Sequence, residues 1–170
     1  MDKIIYVLIM ESFFASLLFS KEPLMVILKD IISNNVQQFN FRNYTFYCTP
    51  YGILTLDDLY TSNSVSKGCK KKIDELFIKR PDLKYFTNSK MHIEQMYSIE
   101  LKEKKCVIYA SGQKTLAELL LENGLAVVKP GFSDEEFHNY FKKAQRRGEH
   151  SNEGIYRDNT LRACIVEIYK

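Results

Sequence analysis

Residues 106–128 carry the start and stop signals of three consecutive elements within 23 positions, and nothing else in the chain constrains its fold as tightly. Residues 106–110 are apolar and rich in β-formers, Ser111-Gly112 is a turn pair, and Thr115-x-x-Glu118 is a capping box. Leu116, Leu119 and Leu120 share one helical face, and Gly124 stands where a helix wants a left-handed residue just past its end. The stretch therefore predicts a strand, a turn, a helix stopping at Asn123 and a second apolar run.

The 170 residues suit one domain, long enough to bury a core without covalent help. Eleven Tyr and eleven Phe with no Trp point to an aromatic, β-containing interior. The N-terminus departs from this pattern. Residues 4–19 are apolar except for Glu11, Ser12 and Ser16, and a helix of these sixteen residues spans about 24 Å, short of a ~30 Å hydrocarbon core. A central carboxylate adds about 2.5 to 3.5 kcal/mol to the cost of insertion. Residues 1–20 therefore read as a secretory signal cut after Ser20, with an anchor through residues 4–19 in the inner membrane as the alternative. A buried N-terminal helix is the third reading. Residues 21–170 are then the single folded domain, placed in the periplasm or secreted. In that compartment Cys48, Cys69, Cys106 and Cys164 predict two disulfides, with all three pairings open, and their wide spacing excludes a Cys-x-x-Cys zinc or redox motif.

Residues 24–32 form a nearly continuous apolar run, read as a buried strand. Residues 36–41 and 44–48 alternate with period two around Arg42-Asn43, predicting a hairpin whose aromatic pairs Phe39/Phe41 and Tyr44/Phe46 share a face. Residues 54–60 read as an irregular piece. A helix capped by Ser64 or Ser66 runs to about Lys79 and stops before Pro81. Residues 91–101 predict a strand, and residues 102–105 a charged turn leading into the strand that starts at Cys106. Ser133-x-x-Glu136 predicts a second capping box before a helix ending near Arg147, and residues 161–169 alternate as a terminal strand. The sum is a β-rich α+β fold: an OB-like five-stranded barrel, about three packed helices and a C-terminal strand.

The order of motifs is informative beyond periodicity. A strand, an Ala-x-Gly turn, a helix ending in Gly124-Leu125-Ala126, then Lys143-Ala144-Gln145-Arg146-Arg147-Gly148 and Gly154-Ile155-Tyr156, resembles the second half of the staphylococcal nuclease-like (thermonuclease) family over residues 100–157. That family hydrolyses phosphodiesters at a calcium site. The resemblance implies metal carboxylates in an Asp-Gly-Asp-Thr turn and in an Asp-Thr-Pro-Glu motif, whose Glu is the base, with arginines from the third and fifth strands.

This chain lacks almost every catalytic group of that pattern. Cys48-Thr49-Pro50-Tyr51 stands where Asp-Thr-Pro-Glu is expected, and Ser33-Asn34-Asn35-Val36 where the first turn belongs. Glu103-Lys104-Lys105 replaces the fifth-strand arginine, and Arg42 lies near the third strand. Neutral Cys and Asn cannot supply the negative charge that holds calcium, and lysine lacks the planar two-point contact of a guanidinium. The resemblance thus implies a pseudo-enzyme with a vestigial site, free of cofactor, that works by binding.

The leading expectation is a non-catalytic interaction or scaffold subunit of a bacterial cell-envelope assembly, such as a motility or secretion machine. Its expected contact residues are Phe39, Phe41, Tyr44, Tyr51, Lys104 and Lys105. One alternative is a secreted calcium-dependent nuclease using Arg42, Asp57 and Asp58. Another is a single-stranded nucleic-acid binder using the aromatic residues and the 102–105 turn. Membrane contact is expected through the N-terminal segment only. The net charge of +3 is mildly basic and decides between none of these. His92, His138 and His150 are scattered, and no phosphate loop or nucleophile motif is present.

Overall fold

β1 (Leu24–Ile31) shows how the strands divide their residues: Val26, Leu28 and Ile31 are buried while Met25 and Ile27 face outward, 49% and 37% exposed. The expected fully buried strand is therefore half-buried, covered on one face only. The computed structural model describes residues 23–63 and 65–169. The N-terminal apolar segment, with the signal and anchor readings attached to it, lies outside them, as does Ser64.

β1 pairs antiparallel with β2 (Gln37–Phe41) on one side and with β5 (Met96–Lys102) on the other. β2 turns through Arg42, at φ +56°, into β3 (Tyr44–Cys48), forming the expected hairpin with Phe39 opposite Phe46 and Phe41 opposite Tyr44. β5 continues into β6 (Lys105–Ser111) and the short β7 (Lys114–Thr115), completing the order β3-β2-β1-β5-β6-β7. β4 (Ile53–Thr55) pairs with β8 (Ala126–Val128) in a separate two-stranded sheet. After β3 the chain crosses to β6: the Tyr51 amide donates to the Cys106 carbonyl and the Cys106 amide to the Thr49 carbonyl, both at 2.9 Å, making a parallel bridge at Pro50. The Cys48–Cys106 disulfide spans the same junction, with Cα atoms 5.6 Å apart.

Seven α-helices are described, more than expected: α1 (Leu56–Thr61), α2 (Lys67–Lys79), α3 (Pro81–Lys84), α4 (Phe86–Lys90), α5 (Leu116–Glu122), α6 (His138–Ser151) and α7 (Asn159–Ile168). The architecture is a mixed α+β fold with a mostly antiparallel sheet. α5 opens on the Thr115–Glu118 capping box and stops with Asn123 as its C-cap and Gly124 at φ +63°. Ser66 caps α2, its hydroxyl accepting from the Cys69 amide.

Four expectations are corrected. The irregular piece at residues 54–60 is a strand end plus α1, because Thr55 and Asp58 form a capping box that the polar Asp57-Asp58 pair disguises. The strand expected from residue 91 begins at Met96, since Glu94 has φ +65° and the Tyr97 hydroxyl accepts the His92 amide. Ser133 does not cap α6. Asp134 accepts the amides of Glu136 (3.0 Å) and Phe137 (3.2 Å) instead, and the helix runs from His138 to Ser151.

The largest correction is the terminal strand, which is helix α7. Leu161, Cys164, Ile165 and Ile168 recur at helical spacing as well as within an alternating run, and Asp158 caps the helix by accepting from the Thr160 amide. A second disulfide, Cys69–Cys164, ties α7 to α2.

Candidate functional site

The junction after β3 is the point where the expected catalytic motif meets the rest of the chain. Cys48 and Cys106 are buried and consumed in their disulfide, the Thr49 carbonyl is held by β6, and Pro50 is buried. Tyr51 emerges from this junction into a cleft of about 570 Å³ between the 102–105 turn and the 129–134 loop. The ring packs edge-on against Phe132 (5.3 Å between centroids) and Phe137 (6.4 Å). Gly52, at φ +75°, keeps the backbone clear of the Phe132 and Phe141 rings, which any Cβ there would strike.

The Tyr51 hydroxyl donates to Asp134 Oδ2 at 3.1 Å. Burial, then the bond to Asp134 and its charge, push the phenol above its ordinary value. Burial works against the Asp134 carboxylate, but the Phe137 amide, the Tyr51 hydroxyl, the Glu136 amide and the Lys102 charge outweigh it and hold the group below the usual carboxylate range. Lys102 Nζ lies 3.3 Å from Glu136, 3.8 Å from Asp134 and 4.0 Å from Glu100, and 5.0 Å from the centre of the Phe137 ring. The Tyr109 hydroxyl donates to Glu100, and burial together with that bond pushes its phenol up. The acidic groups around Lys102 are thus occupied by lysine, hydroxyls and amides.

The alternative site is not brought together. Asp58 spends one oxygen on the Thr55 amide and hydroxyl and accepts from Asn35 Nδ2 (2.8 Å) with the other. Asp57 Oδ2 is buried without a hydrogen-bond partner among the described residues. Burial first, then the charge of Asp58, raises the Asp57 carboxyl above its usual range. Asn34 bonds Thr87 and the Leu83 carbonyl, clasping the loop after β1 to α3 and α4. Arg42 sits at the hairpin tip over the Phe41 ring. It lies seven residues past Asn35 along β2, a run of roughly 20 Å. Among the described residues no group of three or more His, Cys, Asp or Glu side chains is placed to hold a metal ion.

The expected contact residues also separate. Phe39 is fully buried against Phe46 and touches no solvent, because it lies on the inner face of β2. Phe41 is half-buried and Tyr44 is 75% exposed at the hairpin tip, while Tyr51, Lys104 and Lys105 line the cleft.

The groups missed from sequence are Asp134, Lys129 and Phe132. The nearest signal was Ser133-x-x-Glu136, whose reading as a capping box hid Asp134 in its middle. Beyond residues 129–132 lies a second cleft of about 530 Å³, lined by Lys129, Phe132, Lys142, Gln145 and Arg146 among others. Its walls are fixed by Gln145 Oε1, which accepts the Val128 amide (2.8 Å), and by a 2.7 Å contact between His138 Nδ1 and the Phe132 carbonyl. Comparison with protein-family models and with curated proteins finds no match to this sequence.

Proposed function

We propose that this chain is a staphylococcal nuclease-like domain on an OB-type barrel that no longer performs nuclease chemistry and works by binding a protein. In this reading it is an exported, periplasmic interaction or scaffold subunit of a cell-envelope assembly. The observation that carries the proposal is the Cys48–Cys106 disulfide with Tyr51 beside it: where the family pattern calls for a metal carboxylate and a general base, a covalent staple and a phenol bonded to Asp134 stand instead.

The bridge between Pro50 and Cys106 supports the barrel, since it carries the chain from the edge strand β3 to β6 as closure of a five-stranded set requires. The motif residues support the family. Gln145 bonds the end of β8, and Gly124 and Gly154 meet backbone to backbone, with the Ile155 amide on the Gly124 carbonyl at 2.8 Å. Two disulfides fit an oxidising compartment. Among the described residues no helix is long and apolar enough to cross a membrane.

The test is digestion of single-stranded DNA and RNA by the purified protein, with calcium and with chelator, beside a thermal melt in each. The expected result is no cleavage and no calcium shift of the melting temperature. Chelator-sensitive cleavage that survives further purification and is lost in Asp57→Asn would overturn the proposal in favour of a rearranged nuclease.

A further inference from the structure

Six Lys/Arg side chains but only three Asp/Glu line the two clefts on either side of residues 129–132, with Lys129 and Phe132 common to both. The whole chain holds 24 of the first and 21 of the second, which leaves eighteen of each elsewhere. The formal positive excess of the protein is therefore gathered at this one place. Lys102 is engaged with Asp134 and Glu136, but Lys104, Lys105, Lys129, Lys142 and Arg146 make no ion pair or side-chain hydrogen bond among the described residues. Five uncommitted cations on the walls of adjoining clefts repel one another and are relieved by a polyanion.

We infer that an acidic segment of the protein partner seats across these two clefts, its carboxylates on Lys104, Lys105 and Lys129 in the first and on Lys142 and Arg146 in the second. This rests on the reading of the chain as a protein-binding module. The aromatic packing favours a peptide over single-stranded nucleic acid. Base binding uses open ring faces as stacking platforms. Here Phe132 is stacked on Phe141, with centroids 5.6 Å apart and planes 17° from parallel, and Tyr51 is packed edge-on against Phe132 and Phe137.

The test uses the intact, disulfide-bonded protein, with a fluorescent oligoglutamate peptide and an oligothymidylate of equal charge as probes, read by anisotropy over a range of salt. The triple variant Lys104→Glu, Lys129→Glu, Lys142→Glu reverses exposed charges in both clefts. A control variant, Lys70→Glu, Lys71→Glu, Lys79→Glu, changes net charge equally on α2, and thermal melts establish that both fold. The expected result is that peptide affinity falls about tenfold or more in the cleft variant and stays near native in the control. Equal loss in both variants, no peptide binding by the native protein, or tighter binding of the oligothymidylate than of the peptide would each overturn the inference. A protein that binds no peptide and cleaves no nucleic acid would end this inference alone. Calcium-dependent cleavage would end the binding-module reading itself.

Discussion

Glu167 near the C-terminal end accepts hydrogen bonds from both the amide (2.8 Å) and the hydroxyl (3.0 Å) of Ser66, 101 residues earlier. Ser66 is the N-cap of α2, and Cys69 in the first turn of that helix is bonded to Cys164 of α7. The two links lie one turn apart on each helix, so α7 is held in register on α2 by a covalent bond and a charged cap. Leu161 and Cys164 supply the buried side of the contact.

The Cys69–Cys164 link closes 95 residues of chain. Replacing both cysteines with alanine is expected to lower unfolding stability by about 2 to 5 kcal/mol. Glu167→Ala alone is expected to cost about 1 kcal/mol, since the Ser66 hydroxyl still accepts the Cys69 amide. Urea unfolding of oxidised protein measures both. No change in midpoint for the double variant would show that α7 contributes nothing to the cooperative unit.

Tyr51→Phe removes the hydroxyl from Asp134, at a cost of about 1 kcal/mol. The Asp134 carboxyl is held low, so its contribution to stability is present above the ordinary carboxylate range and is lost as pH falls through its folded value. The variant moves that carboxyl back up and shrinks the acid-side loss. Carboxyl NMR titration of Asp134 in both proteins reads the shift, and an unmoved Asp134 would discard the coupling.

Asp57 behaves oppositely. Burial raises its folded value, so ionisation opposes folding, and stability falls as pH rises from the ordinary carboxylate range through that raised value. Asp57→Asn removes the charge while keeping the size of the side chain. The variant is expected to melt higher than native at neutral pH, with the gain vanishing in acid. A lower melting temperature at neutral pH would mean that burial of the charge does not limit stability at this position.

Gly124 and Gly112 both have positive φ, +63° and +60°, but a Cβ at Gly124 runs into the Glu153 carbonyl while one at Gly112 meets open space. Gly112→Ala is expected to cost about 1 to 2 kcal/mol, the left-handed penalty alone. Gly124→Ala adds a backbone clash and is expected to cost more than about 3 kcal/mol or to prevent folding. Similar melting temperatures for the two variants would refute the close approach of the Gly124 and Gly154 backbones.

Both nearest-neighbour signals and their limits are visible in particular residues. Thr115 and Glu118, Ser66 and Cys69, and the Arg42-Asn43 turn act over three or four positions, so their caps and register were legible without any fold. Thr55 and Asp58 form the same kind of box, but two adjacent Asp read equally as a polar turn. Residues 161–168 fit both period two and period 3.6, and periodicity alone does not separate them. Docking on α2, with Cys164 inward to reach Cys69, selects the helix.

The sequence by itself determined the local elements of the centre of the chain, the even set of cysteines and the absence of a carboxylate from Cys48-Thr49-Pro50-Tyr51. Each of these is a property of residue identity or of hydrogen bonds closed within a few positions. Only the tertiary structure decided which cysteines meet, that Tyr51 bonds Asp134 across 83 residues, and that uncommitted lysines from the 102–105 turn, the 129–132 loop and α6 surround one pair of clefts. These relationships depend on how distant segments pack, where burial and close approach, rather than neighbouring sequence, set the energy.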